Sequence, residues 1–244
     1  MRPGKAFEFR IGRHRFRARV FSTFLVGLAW LALLALGSWQ VERLEWKLAL
    51  IAERHERSEA PAVAPPAAGA DIGALEFRRV RLTGRFLHDR EMYLAARSLN
   101  GNVGYHVVTP LAGEDGTATL IDRGWIPLDR KDPAARAEGQ IAGTVTVEGL
   151  IRAPGRKSWV VPDNEPDKNF WFFVDIPAMA AHAGLLGVGP YFVEAGAEKN
   201  PGGYPIGGQS RIELPNNHLS YAIIWYCLAL ALAVFYLIYH RVKT

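Results

Sequence analysis

LSYAIIWYCLALALAVFYLIY, the stretch from Leu219 to Tyr239, contains neither a charge nor a proline. At about 20 residues per hydrocarbon span it is long enough to cross a bilayer. FSTFLVGLAWLALLALGSW, Phe21 to Trp39, has the same character near the other end of the chain. In lipid the backbone amides find no water, so both runs are predicted as helices. The interval from Gln40 to His218 is then the part that folds in water. The expected fold class is an α+β membrane protein, with two transmembrane helices flanking a mainly antiparallel β extracytoplasmic domain.

The flanking charges set the orientation. Ahead of the first run stand Arg2, Lys5, Arg10, Arg13, Arg15, Arg17 and Arg19 against Glu8 alone, and behind the second stand Arg241 and Lys243. The whole chain carries only +5, so the interval between the runs is net acidic. Positive flanks mark cytoplasmic ends. Residues 1–20 and 240–244 are thus expected in the cytoplasm and the central domain outside it, without nucleic-acid binding. A cleaved signal ending near Ala35-Leu36-Gly37 is the competing reading of the first run. The only cysteine, Cys227, lies inside the second run, so the outward domain has no disulfide or thiolate metal site.

Past Trp39, Leu44, Leu48 and Ile51 keep helical spacing among charges, which predicts a helical extension over residues 40–57. An Ala/Pro-rich linker or exposed loop follows at 58–75. From Glu76 the period changes to two. FRRVRLTGRFL, EMYLAARSL, VGYHVVTPL, ATLIDRGWIPL, TVTVEGLIR, FWFFVDI and YFVEA are separated by turn-forming clusters such as NGN, GEDG and PDNEPD. Some seven strands at this spacing predict a β-rich domain over 76–214, a compact sheet, sandwich or small barrel. Short helices are expected in DRKDPAARAEG and PAMAAHAGLL.

No Gly-x-Ser-x-Gly elbow, His-Glu-x-x-His pair or phosphate-binding glycine loop is present. GGYPIGG reads as a loop. Asp122-Arg123 in IDRGWIP reads as a structural pairing beside a packed Trp125, with a catalytic pair as the competing reading. Among the seven histidines, His14 and His240 flank the spans, His55 and His88 sit in charged surface contexts, and His106 and His182 read as hydrogen-bonded structural residues. His218 differs because it stands where a polar loop enters an apolar helix, behind the cap residues Asn216 and Asn217. His218, Tyr221, Ala222 and Trp225 share one helical face, and Cys227 points away from it. That face offers one imidazole and flat aromatic walls, as a porphyrin requires. A polar interfacial histidine that binds nothing is the alternative.

Several strings carry a resemblance: LGSWQVERLEWKLALI (Leu36–Ile51), GRFLHDREMYL, GYHVVTPL, LIDRGWIP and NNHLSYAIIWYCLALA, in this order. Together they resemble the Surfeit-locus-one family, membrane-anchored assembly factors of haem-copper cytochrome c oxidase, and the chain is similar to its bacterial members. The resemblance implies a protein without enzyme activity in the bacterial inner membrane, assisting haem a delivery to the oxidase catalytic subunit. Its implied partners are that subunit, membrane lipid and the haem a synthesis machinery. It also implies His218 as an axial ligand of haem iron, weakly or transiently held, which would put Tyr221 and Trp225 at the pocket walls. A structural chaperone for the oxidase subunit with no haem ligation of its own is the alternative.

Overall fold

The computed structural model describes residues 6–12, 14–67, 69–155 and 157–242. The flank charges Arg2, Lys5, Arg13 and Lys243 lie outside the described residues. In chain order the elements are β1 (Ala6–Ile11), β2 (His14–Arg19), α1 (Val20–Glu59), α2 (Ile72–Leu75), β3 (Arg79–Phe86), β4 (Met92–Leu99), β5 (Asn102–Ala112), β6 (Ala118–Pro127), β7 (Thr144–Arg152), α3 (Ile176–His182), β8 (Val188–Ala195) and α4 (His218–His240). They form two units, one of residues 1–52 with 213–244 and one of Glu53–Ile212.

In the first unit, α1 and α4 are long and apolar enough to cross a membrane, and most of their apolar side chains are exposed. At about 1.5 Å per residue, the 40 residues of α1 reach twice a bilayer's hydrocarbon thickness. Only the first half of α1 is apolar, as the helical extension requires. The two helices run antiparallel and are clasped by side chains. Thr23 and Tyr236 share a hydrogen bond of 2.6 Å, and Ser38 and Tyr226 one of 3.2 Å. Gly37 makes the second clasp possible, because a Cβ there would lie 2.8 Å from the Tyr226 ring. Small residues at such a crossing let two helices approach closely.

By sequence the basic amino-terminal segment reads only as a charged flank, and β1 and β2 form a hairpin there. Its residues alternate: Phe7 and Phe9 stand opposite Ala18 and Phe16, while Glu8 and Arg10 stand opposite Arg17 and Arg15. The charges masked a period of two.

In the second unit the strand order is β3-β7-β8-β6-β5-β4, and β3 also pairs with β5 at Arg85–Ala112 and Phe86–Leu111. That pairing closes the sheet into a barrel-like ring, with β4 lying along the first half of β5. Mainly antiparallel holds with one exception, since β6 and β8 run parallel around the crossover that contains α3. Val80, Leu82 and Phe86 of β3 point inward with Ile121, Ile151 and Val193, as the period of two predicts. A second apolar cluster packs Trp171, Val174 and Met179 on Leu94, Leu120 and Phe192. Asn100 and Gly101, at φ of 51° and 81°, supply the left-handed turn between β4 and β5.

Two expectations need correction. FWFFVDI is no strand, because Asn164 takes the N–H groups of Phe172 and Phe173 on its side-chain oxygen, leaving only single bridges at Phe170 and Trp171. Part of the Ala/Pro segment is docked rather than loose: the backbone of Val63 bonds Arg79 and Arg81 along β3. The short helices in DRKDPAARAEG are tight 3-10 turns at Leu128–Arg130 and Pro133–Gly139.

Candidate functional site

α4 begins at His218, as the sequence predicts, but the cap differs in detail. Asn217 makes no side-chain cap; Asn216 Oδ1 accepts from the His218 N–H at 3.3 Å. The imidazole is half-buried and tied to α1, with Nδ1 donating to Gln40 Oε1 at 2.7 Å. A ring whose Nδ1 carries the proton presents an Nε2 lone pair, and among the described residues nothing bonds that nitrogen. This is the tautomer that can ligate a metal, with Gln40 in the role of outer hydrogen-bond partner. Gln40 belongs to the Gly-x-Trp-Gln-x-x-Arg string after the first run, so two separated strings meet at one atom pair.

The face drawn from sequence divides in the structure. Ala222 is buried, Trp225 is half-buried, and Cys227 is exposed, as expected for the other side of the helix. Tyr221 is 51% exposed and stands apart from that buried seam, because three residues advance a helix by only 300°. The Trp225 indole Nε1–H is buried and has no hydrogen-bond partner among the described residues. Unpaired buried donors are rare in folded proteins. No group of three His, Cys, Asp or Glu side chains able to hold a metal occurs among the described residues. His218 would be a single protein ligand.

The barrel unit shows why Asp122-Arg123 is structural. Successive strand residues point to opposite faces, so the two side chains have different partners. Asp122 Oδ2 accepts from His106 Nδ1 at 2.8 Å and its Oδ1 from the Gly124 N–H at 3.0 Å. Arg123 is 1% exposed and meets Glu91, which also binds Arg136, Thr109 and Gln140. Burial raises the Glu91 carboxyl, but the His88 hydrogen bond and then the bond and charge of Arg136 outweigh it and hold the pKa at about 2. Burial pulls Arg123 down to about 10, still charged at neutral pH. His88 is therefore no surface residue: it touches Glu91 and bonds the Ile141 carbonyl at 3.0 Å.

This network is an ion-pair cluster. It fastens the 133–139 turn to the barrel, since Arg123 Nη2 also donates to the Gly139 carbonyl at 2.6 Å. Sequence reading singled out Arg123 but not Glu91 or Arg136, which lie 32 and 13 positions away. Trp125 is buried as expected; Gly104 leaves room for its ring, and Gly124 lets the Ile206 backbone lie alongside. A Cβ on Gly104 would lie 2.6 Å from the indole nitrogen, and one on Gly124 would lie 1.9 Å from the Ile206 carbonyl. Ile206 exchanges both backbone hydrogen bonds with Trp125. The Arg-Gly-Trp string is thus a packing signature.

The family model described as SURF1 family matches residues 27–230. Surfeit locus protein 1 from Mus musculus is 36% identical over 211 residues, which are 80% of the chain and 68% of that protein. A SURF1-like protein from Monosiga brevicollis is 38% identical over 206 residues, 80% of the chain and 78% of that protein. Surfeit locus protein 1 from Homo sapiens is 37% identical over 226 residues, 84% of the chain and 74% of that protein.

Proposed function

The chain belongs to the SURF1 family, and on that premise we propose that it is an assembly factor for a haem-copper cytochrome c oxidase, one that holds haem a at His218 for the catalytic subunit. In this reading α1 and α4 cross the bacterial inner membrane, both termini are cytoplasmic and the barrel unit is periplasmic. The protein binds and hands over and is not an enzyme. Its partners are the oxidase subunit, the surrounding lipid and the machinery that makes haem a.

The observation that carries the reading is the 2.7 Å contact between His218 Nδ1 and Gln40 Oε1. It sets the tautomer with a free Nε2 and fixes the ring before any ligand arrives, which lowers the ordering cost of binding. The residues fit the group on a second count, the unpartnered Trp225 N–H on the same helical face. Bound haem would supply iron that accepts one imidazole nitrogen and a polar periphery that accepts hydrogen bonds. His218 would ligate, Gln40 would orient, and Trp225 would wall the site and donate. Tyr221, exposed as it is, would contact only the outer edge. A single ligand makes an exchangeable site, which suits a donor.

The test is the absorbance of the detergent-purified full-length protein from cells that make haem a. A Soret band in the wild type that is lost in His218→Ala supports the reading. Haem-free protein that still promotes oxidase assembly would leave the chaperone role alone.

A further inference from the structure

A cavity of about 280 Å³ lies on the barrel unit, away from the network around Glu91. It crosses the sheet from β7 to β4, and its polar groups are already sorted into pairs. Arg152 binds Glu194 at 2.9 Å, and His106 binds Asp122 at 2.8 Å. Two further arginines line it: Arg97 from β4 and Arg211 from the segment after β8. Neither guanidinium has a hydrogen-bond or ion-pair partner among the described residues. Glu194 balances Arg152, and Arg97 and Arg211 then stand against the one carboxylate of Asp122, so the cavity holds a surplus of positive charge.

The backbone bends around this place. The β4–β5 register shifts between Leu94 and Arg97, and the β5–β6 register shifts between His106 and Val108. Ala96, inside the first shift, has a φ of 55°. An alanine is strained there, because its Cβ crowds the following carbonyl oxygen. Bulges of this kind re-aim side chains at functional positions. Here both flank the His106 and Arg97 side chains that line the cavity.

The imidazole defines what fits. Asp122 Oδ2 accepts a hydrogen bond from His106 Nδ1–H, so in the uncharged ring Nε2 is the acceptor, and among the described residues nothing donates to it. A ligand must therefore offer anionic oxygens to Arg97 and Arg211 and also one O–H to His106. A carboxylate lacks that O–H. The volume is just below the roughly 300–1,000 Å³ of ordinary ligand pockets, so the ligand is small. We propose that this cavity binds a small oxyanion that keeps one O–H, a hydrogenphosphate or a singly protonated phosphate monoester. Arg97 and Arg211 hold its charge, and His106 accepts its proton-bearing oxygen. The site is independent of haem.

The test is calorimetric titration of the full-length protein in non-ionic detergent and phosphate-free buffer, with inorganic phosphate, glycerol phosphate and acetate at matched ionic strength. Saturable phosphate binding is expected, with acetate at least about tenfold weaker. Arg97→Gln and Arg211→Gln should each weaken phosphate about tenfold, as loss of a charged hydrogen bond does. Both side chains reach the surface, so their thermal midpoints should match the wild type. Tighter binding of glycerol phosphate would identify an ester headgroup as the source, and tighter inorganic phosphate the free ion. No saturable binding, acetate equal to phosphate, or binding unchanged in the double arginine variant would overturn the proposal.

Discussion

His218 donates from Nδ1 to Gln40 Oε1 at 2.7 Å, across 178 positions of chain and between the two apolar helices. If His218 is the ligand and Gln40 its orienting partner, the two residues should fail differently. His218→Ala should abolish the Soret band with membrane insertion unchanged, and His218→Met should keep some haem with an altered spectrum. Gln40→Leu should retain haem but weaken it roughly 10–100-fold, the usual cost of losing an outer partner of a ligating histidine. Gln40→Glu, which still accepts from Nδ1, should recover much of that loss and lower the haem reduction potential. Gln40→Leu with wild-type affinity and potential would leave His218 as ligand but remove Gln40 from the site.

Trp225 offers a separable test. Trp225→Phe keeps an aromatic wall, though a smaller one, and removes the buried N–H that has no partner among the described residues. A haem substituent bonded to it would make that variant weaker than wild type, while Trp225→Ala should be weaker still. Cys227→Ser, on the exposed side of α4, should change haem titration little. Equal affinity in wild type and Trp225→Phe would show that the indole acts by shape alone.

Glu91 should make the barrel acid-sensitive in a defined window. Its folded pKa of about 2 lies below the ordinary 4.5, so its contribution to stability is present above pH 4.5 and is lost as pH falls toward 2. A shift of that size corresponds to roughly 3 kcal/mol. Denaturant unfolding of the full chain in detergent should show this loss, and Glu91→Gln should remove it. At neutral pH Glu91→Gln should cost about 3–5 kcal/mol, because Arg123 and Arg136 then stay buried without a counter-charge. A flat wild-type profile between pH 4.5 and 2 would contradict the assignment.

Trp125→Ala should cost about 3–5 kcal/mol, since the indole is 5% exposed in a site bounded by two close-packed backbones. Thermal unfolding measures it. A loss below about 1 kcal/mol would mean that the site collapses around the missing ring.

Topology can be read with reporters. A periplasm-active fusion after Asp71 should give signal, and fusions at either terminus should give none. Periplasmic activity from a carboxyl-terminal fusion would overturn the two-span reading.

What was legible in the sequence was what a local period can encode. Two charge-free runs became α1 and α4, alternation from Val80 became the inward face of β3, and the polar-to-apolar boundary at His218 became a helix start. Signals failed where a side chain overrode the local pattern. Asn164 captured the amides of a strand-like aromatic run, and interleaved arginines hid the β1–β2 hairpin. Partner choice was illegible for a different reason. Gln40 meeting His218, Arg123 meeting Glu91, and β6 lying parallel to β8 depend on how distant segments are brought together. Periodicity tells each residue which face it occupies, and only the tertiary packing decides what waits on that face.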